Sequence, residues 1–159
     1  MNEQAKSDLL NKLTYGLYVV TADAGDDRGG MLVTWVMQAS FDPPMVAVAM
    51  QNSSHTYAVV KQSGVFALNF MADAQRKEAG AFGQEYAKVG DKFGRFANHP
   101  GAATGSPILD DALGFLECRV KGWLAGGDHD VALAEIVEAE IKSDATLMTT
   151  ESSGMGYAG

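Results

Sequence analysis

The chain is 159 residues long, with 47% hydrophobic and 20% charged residues and a net charge of -8 at pH 7. One domain spanning 1–159 is the expectation at that length, and the composition excludes a disordered or collagen-like chain. The acidic balance repels a phosphate backbone, which excludes nucleic acid, and a lone cysteine, Cys118, excludes a disulfide scaffold or a multi-thiolate zinc cage.

Glu3, Lys6 and Asp8 stand where an export signal would need an apolar run, and the uncharged stretch 29–41 is too short to span a bilayer. A cytoplasmic protein without membrane contact is therefore expected. Ala5, Leu9 and Leu13 recur every four residues and predict a short amphipathic helix. Residues 17–22 then read as a strand, closed by an acidic, glycine-bearing turn over 23–30. Met31, Val33, Trp35, Met37 and Ala39 are apolar at period two, which predicts one strand over 31–40 with that set facing a core. Asp42-Pro43-Pro44 ends it, because proline cannot donate to a ladder.

Residues 45–50 are apolar throughout and predict a strand covered on both faces. A polar loop over 51–56 leads into a helix over 57–62 that stops at Gly64, and residues 65–71 form a further strand. Residues 73–82 read as a helix with Asp73 as its N-cap, and 83–107 as a long irregular segment. Two final strands meet at the hairpin turn Gly126-Gly127-Asp128. Leu116, Cys118, Val120 and Leu124 are expected on the core side of the first, and Val131, Leu133, Val137 and Ile141 on that of the second. About six strands with a few helices favour a mainly β barrel, since curling a sheet on itself removes exposed edges.

Candidate chemistry concentrates in three places. Hydroxyls and free N–H groups at Asn52-Ser53-Ser54-His55-Thr56, just before a helix, suit a phosphate, although ordinary capping by serine or threonine accounts for the same residues. Thr34 and Gln38 lie on the mixed face of their strand, where they could meet a flat aromatic ligand, although periodicity alone favours an edge strand whose polar face meets water. His129, at the exit of the hairpin, suits an amide or nicotinamide contact, with simple solvation as the plainer alternative. No histidine or carboxylate spacing indicates a metal. Gly154-Met155-Gly156-Tyr157-Ala158-Gly159 matches the dinucleotide GxGxxG pattern, but no strand precedes it and no helix is expected after it. Cys118 alternates into an apolar face and reads as packing.

Several segments together resemble the flavin reductase family with the FMN-binding split-barrel fold. They are Tyr18-Val19-Val20-Thr21, the run from Met31 through Thr34-Trp35-Val36-Met37-Gln38 to Pro43-Pro44, Ser54-His55-Thr56, Val65 through Asn69-Phe70, Lys92-Phe93, Leu116-Glu117-Cys118 and Gly127-Asp128-His129. The likeness spans about residues 13–141. Around 34–44 the pattern is similar to flavoredoxins and to the flavin reductase-like module of some flavodiiron proteins.

The resemblance implies a Greek-key type split β-barrel with peripheral helices, acting as a homodimer with a flavin near the subunit interface. It implies FMN, with FAD as the alternative, and NADH or NADPH as the hydride donor to an NAD(P)H-dependent flavin reductase. By position, it places Thr34, Trp35, Val36, Met37 and Gln38 along the flavin ring, and Asn52, Ser53, Ser54, His55 and Thr56 at the phosphate. It sets Asn69, Phe70, Lys92 and Phe93 around the pocket, and His129 against the nicotinamide. Three features depart from the common pattern. Gln51-Asn52 stands where many members carry arginine or lysine, Trp35-Val36 replaces small hydroxyl residues, and the tail 146–159 differs. A flavoredoxin-like electron-transfer protein serving a redox partner, a reductase feeding a monooxygenase and a non-catalytic FMN-binding module are the readings it leaves open.

Overall fold

The computed structural model describes residues 1–155. The main sheet holds β1 (Tyr18–Asp23), β2 (Arg28–Val33), β3 (Val36–Ser40), β4 (Met45–Gln51), β5 (Val65–Phe70), β8 (Gly114–Ala125) and β9 (His129–Ile141). A short ribbon pairs β6 (Asn98–Pro100) with β7 (Pro107–Leu109). Helices α1 (Glu3–Leu10), α2 (His55–Ser63), α3 (Arg76–Phe82), α4 (Tyr86–Val89) and α5 (Thr150–Ser153) lie around them.

The strands of the main sheet run antiparallel in the order β2-β1-β5-β8-β9-β4-β3. Its two outermost strands, β2 and β3, are consecutive in the chain and joined by Thr34 and Trp35 alone. The sheet must therefore curl until its ends meet. One core cluster confirms the curl, uniting Val33 of β2, Val46, Val48 and Met50 of β4, and Val20, Phe66, Cys118 and Ala132 between them. The expected mainly β split barrel with peripheral helices is what forms.

The single strand expected over 31–40 is two strands. Alternation runs unbroken through Thr34 and Trp35, but β2 pairs with β1 whereas β3 pairs with β4. Past that break the apolar set leaves the core, and Met37 is 64% exposed. The expected core side of β9 is also reversed. Ala132 and Ala134 face the barrel opposite Val48 and Val46, while Leu133 is 40% and Ile141 82% exposed. Small residues suit that position because the barrel interior is already filled by valines from β4. Two register shifts in β8, at Glu117/Cys118 and Val120/Gly122, likewise carry Leu124 outward.

Helix α2 starts where its cap permits: the Ser54 hydroxyl accepts from Tyr57 N at 3.2 Å, and Gly64 closes it at φ 71°. Asp73 does not cap α3. That helix begins at Arg76, because Gln75 Oε1 takes the Ala72 N–H at 2.8 Å, and Asp73 accepts from the Ser152 hydroxyl instead. The segment 83–107 is irregular but structured, holding α4, a 3₁₀ turn at Phe93–Arg95 and β6. Near the C-terminus Met148 is fully buried and exchanges backbone bonds with Leu17 and Met71. Gly154 caps α5 at φ 69°, and the rest of the GxGxxG match, from Gly156, lies outside the described residues.

Candidate functional site

A cavity of about 770 Å³ opens where β2 hands over to β3. It lies in the size range of small-molecule and cofactor sites. Residues 30–35 form one wall, the loop 51–56 a second, residues 82–87 with Lys92 a third, and His129 stands at the hairpin end. Two successive glycines make the approach possible. A Cβ on Gly29 would lie 2.7 Å from Thr56 Cα, and one on Gly30 would lie 2.6 Å from the Phe82 ring. Glycine there lets α2 and the aromatic layer close on β2 from both faces.

Thr34 is the unusual residue of this cavity. It is only 8% exposed, and among the described residues its hydroxyl meets no hydrogen-bond partner. Leaving a buried hydroxyl unpaired costs about 1–3 kcal/mol, so such a group in a cavity wall marks a place where a ligand supplies the partner. Trp35 follows it, its ring 4.8 Å from that of His129 at a 49° tilt. His129 Nδ1 lies 2.8 Å from the Asp128 carboxylate, and this bond and charge hold Asp128 below the ordinary aspartate range.

The loop 51–56 brings the first turn of α2 to the cavity. The N–H groups of His55 and Thr56 precede the first intrahelical bond, from Ala58 N to Ser54 O, and so remain available to an anion. Ser53 is exposed, whereas the Ser54 hydroxyl is committed to capping and to Met31 Sδ at 3.3 Å. His55 stacks on Tyr86 with centroids 3.7 Å apart and a 14° angle, and its Nε2 reaches Asp27 at 3.0 Å.

Lys92 is buried among carbonyls. Its Nζ donates to Gly30 O at 3.2 Å, Phe82 O at 3.0 Å and Gln84 O at 2.5 Å, and burial lowers its pKa to about 8. Its three protons therefore tie the segment 82–84 to β2, and it lines the cavity without turning its ammonium to a guest. Asn52 also points elsewhere, donating from Nδ2 to Gly127 O at 2.8 Å.

Of the residues singled out in the sequence, Thr34, Trp35, Asn52, Ser53, Ser54, His55, Thr56, Lys92 and His129 share this cavity. Val36, Met37 and Gln38 lie beyond it on β3, the last two exposed. Asn69 and Phe70 do not reach its walls. Asn69 is fully buried on β5, bonded to Val19 O, the Thr21 hydroxyl and Leu109 N, and Phe70 packs edge-on against Tyr18. Phe93 packs on Phe82 in a second core cluster. Sequence reasoning missed Tyr86, which the irregular composition of its segment concealed, and Met31, which was placed on a core face. Among the described residues no group of three histidine, cysteine or carboxylate side chains is arranged to hold a metal. No helix there is long and apolar enough to cross a membrane.

Similar proteins agree with this architecture. A putative diflavin flavoprotein A 3 from Synechocystis sp. (strain ATCC 27184 / PCC 6803 / Kazusa) is 33% identical over 98% of this chain, which spans 26% of that protein. The putative diflavin flavoprotein A 2 of the same organism is 30% identical over 98% of the chain and 28% of its own length. The chain thus spans about a quarter of the curated relatives it matches. Among solved structures, the NADH:FAD oxidoreductase SgcE6 from Streptomyces globisporus C-1027 superposes with a TM-score of 0.82 at 25% identity, over 89% of this chain and 83% of that one. BorF, the flavin reductase component of a bacterial two-component tryptophan halogenase, shares the fold with a TM-score of 0.83 at 22% identity, over 96% and 95% of the two chains. The family model described as flavin reductase like domain matches residues 10–155, and the chain belongs to that family.

Proposed function

We propose that this chain binds FMN in the cavity between β2 and β3 and receives hydride there from NADH or NADPH, as a flavin reductase working as a homodimer. The observation that carries the reading is the buried hydroxyl of Thr34, which has no partner among the described residues and stands in the wall of a cavity that also holds the first turn of α2. An isoalloxazine edge provides acceptors and donors for such a hydroxyl, and a phosphate suits the His55 and Thr56 N–H groups. Ser53 and Thr56 add hydroxyls on the phosphate side, and Trp35 provides a flat wall. The described Streptomyces relative is named an NADH:FAD oxidoreductase, which keeps FAD as the alternative cofactor.

When bound, the flavin supplies the capacity to take up a hydride. The residues of this chain supply placement. His129, its Nδ1 engaged by Asp128, presents its ring beside Trp35 and orients the nicotinamide amide. Such positioning is the main protein contribution to a transfer that needs no acid or base at the reacting carbon.

The second copy belongs on the outward face of β3, β4, β9 and β8. Met37, Ala47 and Leu133 form one row across it, and Ala49, Val131 and Leu124 form the next. Met37 is 64% and Leu124 70% exposed, and this face is continuous with Ala49 in the cavity wall. Exposed apolar rows of this kind mark association surfaces.

Purified protein should be yellow, release FMN on denaturation, and lose its flavin absorbance within seconds of mixing with NADH or NADPH. Colourless protein that takes up neither FMN nor FAD overturns the reading. A second reading, an electron-transfer module in a larger redox system, is favoured by the relatives of which this chain spans about a quarter. Slow bleaching by both nicotinamides, with fast reduction by a basic protein partner that fails at high salt, would select it.

A further inference from the structure

We infer that Asn52 is a clip that fixes the His129 hairpin against the phosphate-side loop, and is not itself a ligand of the phosphate. The inference rests on the flavin and nicotinamide reading given above. Asn52 holds the hairpin tip at two successive residues: its backbone N donates to Asp128 O at 3.0 Å and its side-chain Nδ2 to Gly127 O at 2.8 Å. Beyond His129, the Asp130 carboxylate accepts from the Tyr57 hydroxyl of α2 at 2.5 Å, a bond that holds Asp130 below the ordinary aspartate range. Asn52 thus holds the two residues before His129, and Tyr57 holds the one after it.

The need for a clip follows from the local geometry. The tip joins β8 to β9 through Gly126 and Gly127, and Gly127 sits at φ 110°. A Cβ on Gly126 would meet His129 O at 2.6 Å, so the turn is kept free of side chains that would stiffen it. Hairpin ends are the first parts of a sheet to fray, and bonds from Asn52 and Tyr57, outside the hairpin, restrain this one. The ladder itself ends at the pair Gln51–His129, one residue before Asn52. Moving the loop therefore moves His129. An amide at position 52 makes the placement of the nicotinamide-side histidine depend on the loop that faces the phosphate. It also explains how an uncharged residue serves where the family resemblance leads one to expect a cation.

Asn52→Ala removes the Nδ2 bond to Gly127 and keeps the backbone bond to Asp128. In the flavin-free protein, amide exchange over 126–130 should quicken about 10-fold relative to the body of β8 and β9. FMN affinity should stay within about 3-fold of the parent protein, while reduction by the nicotinamide slows about 10-fold, the usual scale for a displaced positioning group. In a His129→Ala background the Asn52 substitution should add no further loss. Tyr57→Phe, which removes the outside bond to Asp130, should shift the same exchange and the same rate in the same direction. Unchanged exchange over 126–130 overturns the clip, and so does a loss of FMN affinity of about 10-fold or more with normal reduction of the loaded fraction. If the parent protein takes up no flavin at all, the functional reading fails, and the exchange measurement still decides the clip.

Discussion

The carboxylate of Glu117 fills the space that a side chain on Gly101 would need, for a Cβ there would lie 1.8 Å from Oε1. Glu117 is fully buried, and its oxygens accept from Ala103 N at 2.7 Å, Thr104 N at 3.2 Å and the Thr104 hydroxyl at 3.1 Å. One buried charge on β8 thus anchors the loop that links β6 to β7. Gly101→Ala should push the carboxylate off these donors and destabilise the fold by about 2–4 kcal/mol, since a buried charge without its bonds is costly. Urea unfolding of the variant would show it, and an unchanged midpoint would refute the anchor.

Thr34→Val separates the two consequences of an unpaired hydroxyl. Exchanging it for a methyl of similar shape should raise the stability of the flavin-free protein by about 1 kcal/mol. The same change should weaken FMN binding about 10-fold, because the ligand loses the bond that hydroxyl is expected to make. Parallel thermal melts and fluorescence titrations measure both. A less stable variant with undiminished affinity would contradict the assignment.

Lys92 gives stability a pH dependence with a definite sign. Its pKa falls from 10.5 to about 8 on folding through burial, so between these values the unfolded chain holds more protons than the folded one. Stability from this residue must then rise as pH climbs from about 8 towards 10, and stay level below that window. Urea midpoints of the parent and of Lys92→Met, measured across the range, should diverge in favour of the parent at high pH. A constant difference would show that the ammonium titrates normally.

Leu133→Glu tests the association face. The side chain is 40% exposed in the single chain, so a charge there should cost the isolated fold little. On a dimer interface it would bury unpaired charge. Sedimentation should therefore show a monomer that folds normally and retains less flavin. A dimer as tight as that of the parent protein would move the interface elsewhere.

Legibility in the sequence followed locality. The stop of α2 at Gly64 was readable because it depends on a few adjacent residues, whereas its start, expected at Tyr57, falls two residues earlier, at His55, where Ser54 caps it. The hairpin around Gly127 was readable in the same way as that stop. The break at Thr34 and Trp35 was hidden, since nothing in the alternation changes when a strand switches partners at opposite ends of a sheet. The core face of β9 was misjudged because alanines, not the larger Val131 and Leu133, fit against β4. For the site, Thr34, Trp35, residues 53–56 and His129 do share one cavity. The tasks of Lys92, Asn52 and Asn69 were not visible, because each is bonded to backbone atoms far away in the chain. The stack of His55 on Tyr86 is non-local in the same way.

Thr34 and Trp35 alone join the two outermost strands, so the barrel resembles a hoop fastened by a two-residue clasp. Along the rest of its circumference each strand is laced to its neighbours, and only at the clasp does covalent continuity replace the lacing. A guest seated at that point bridges the gap between the ends. Occupancy should thus be felt by every strand at once, and loaded protein should resist heat as a single ring rather than as a sheet that can spring open.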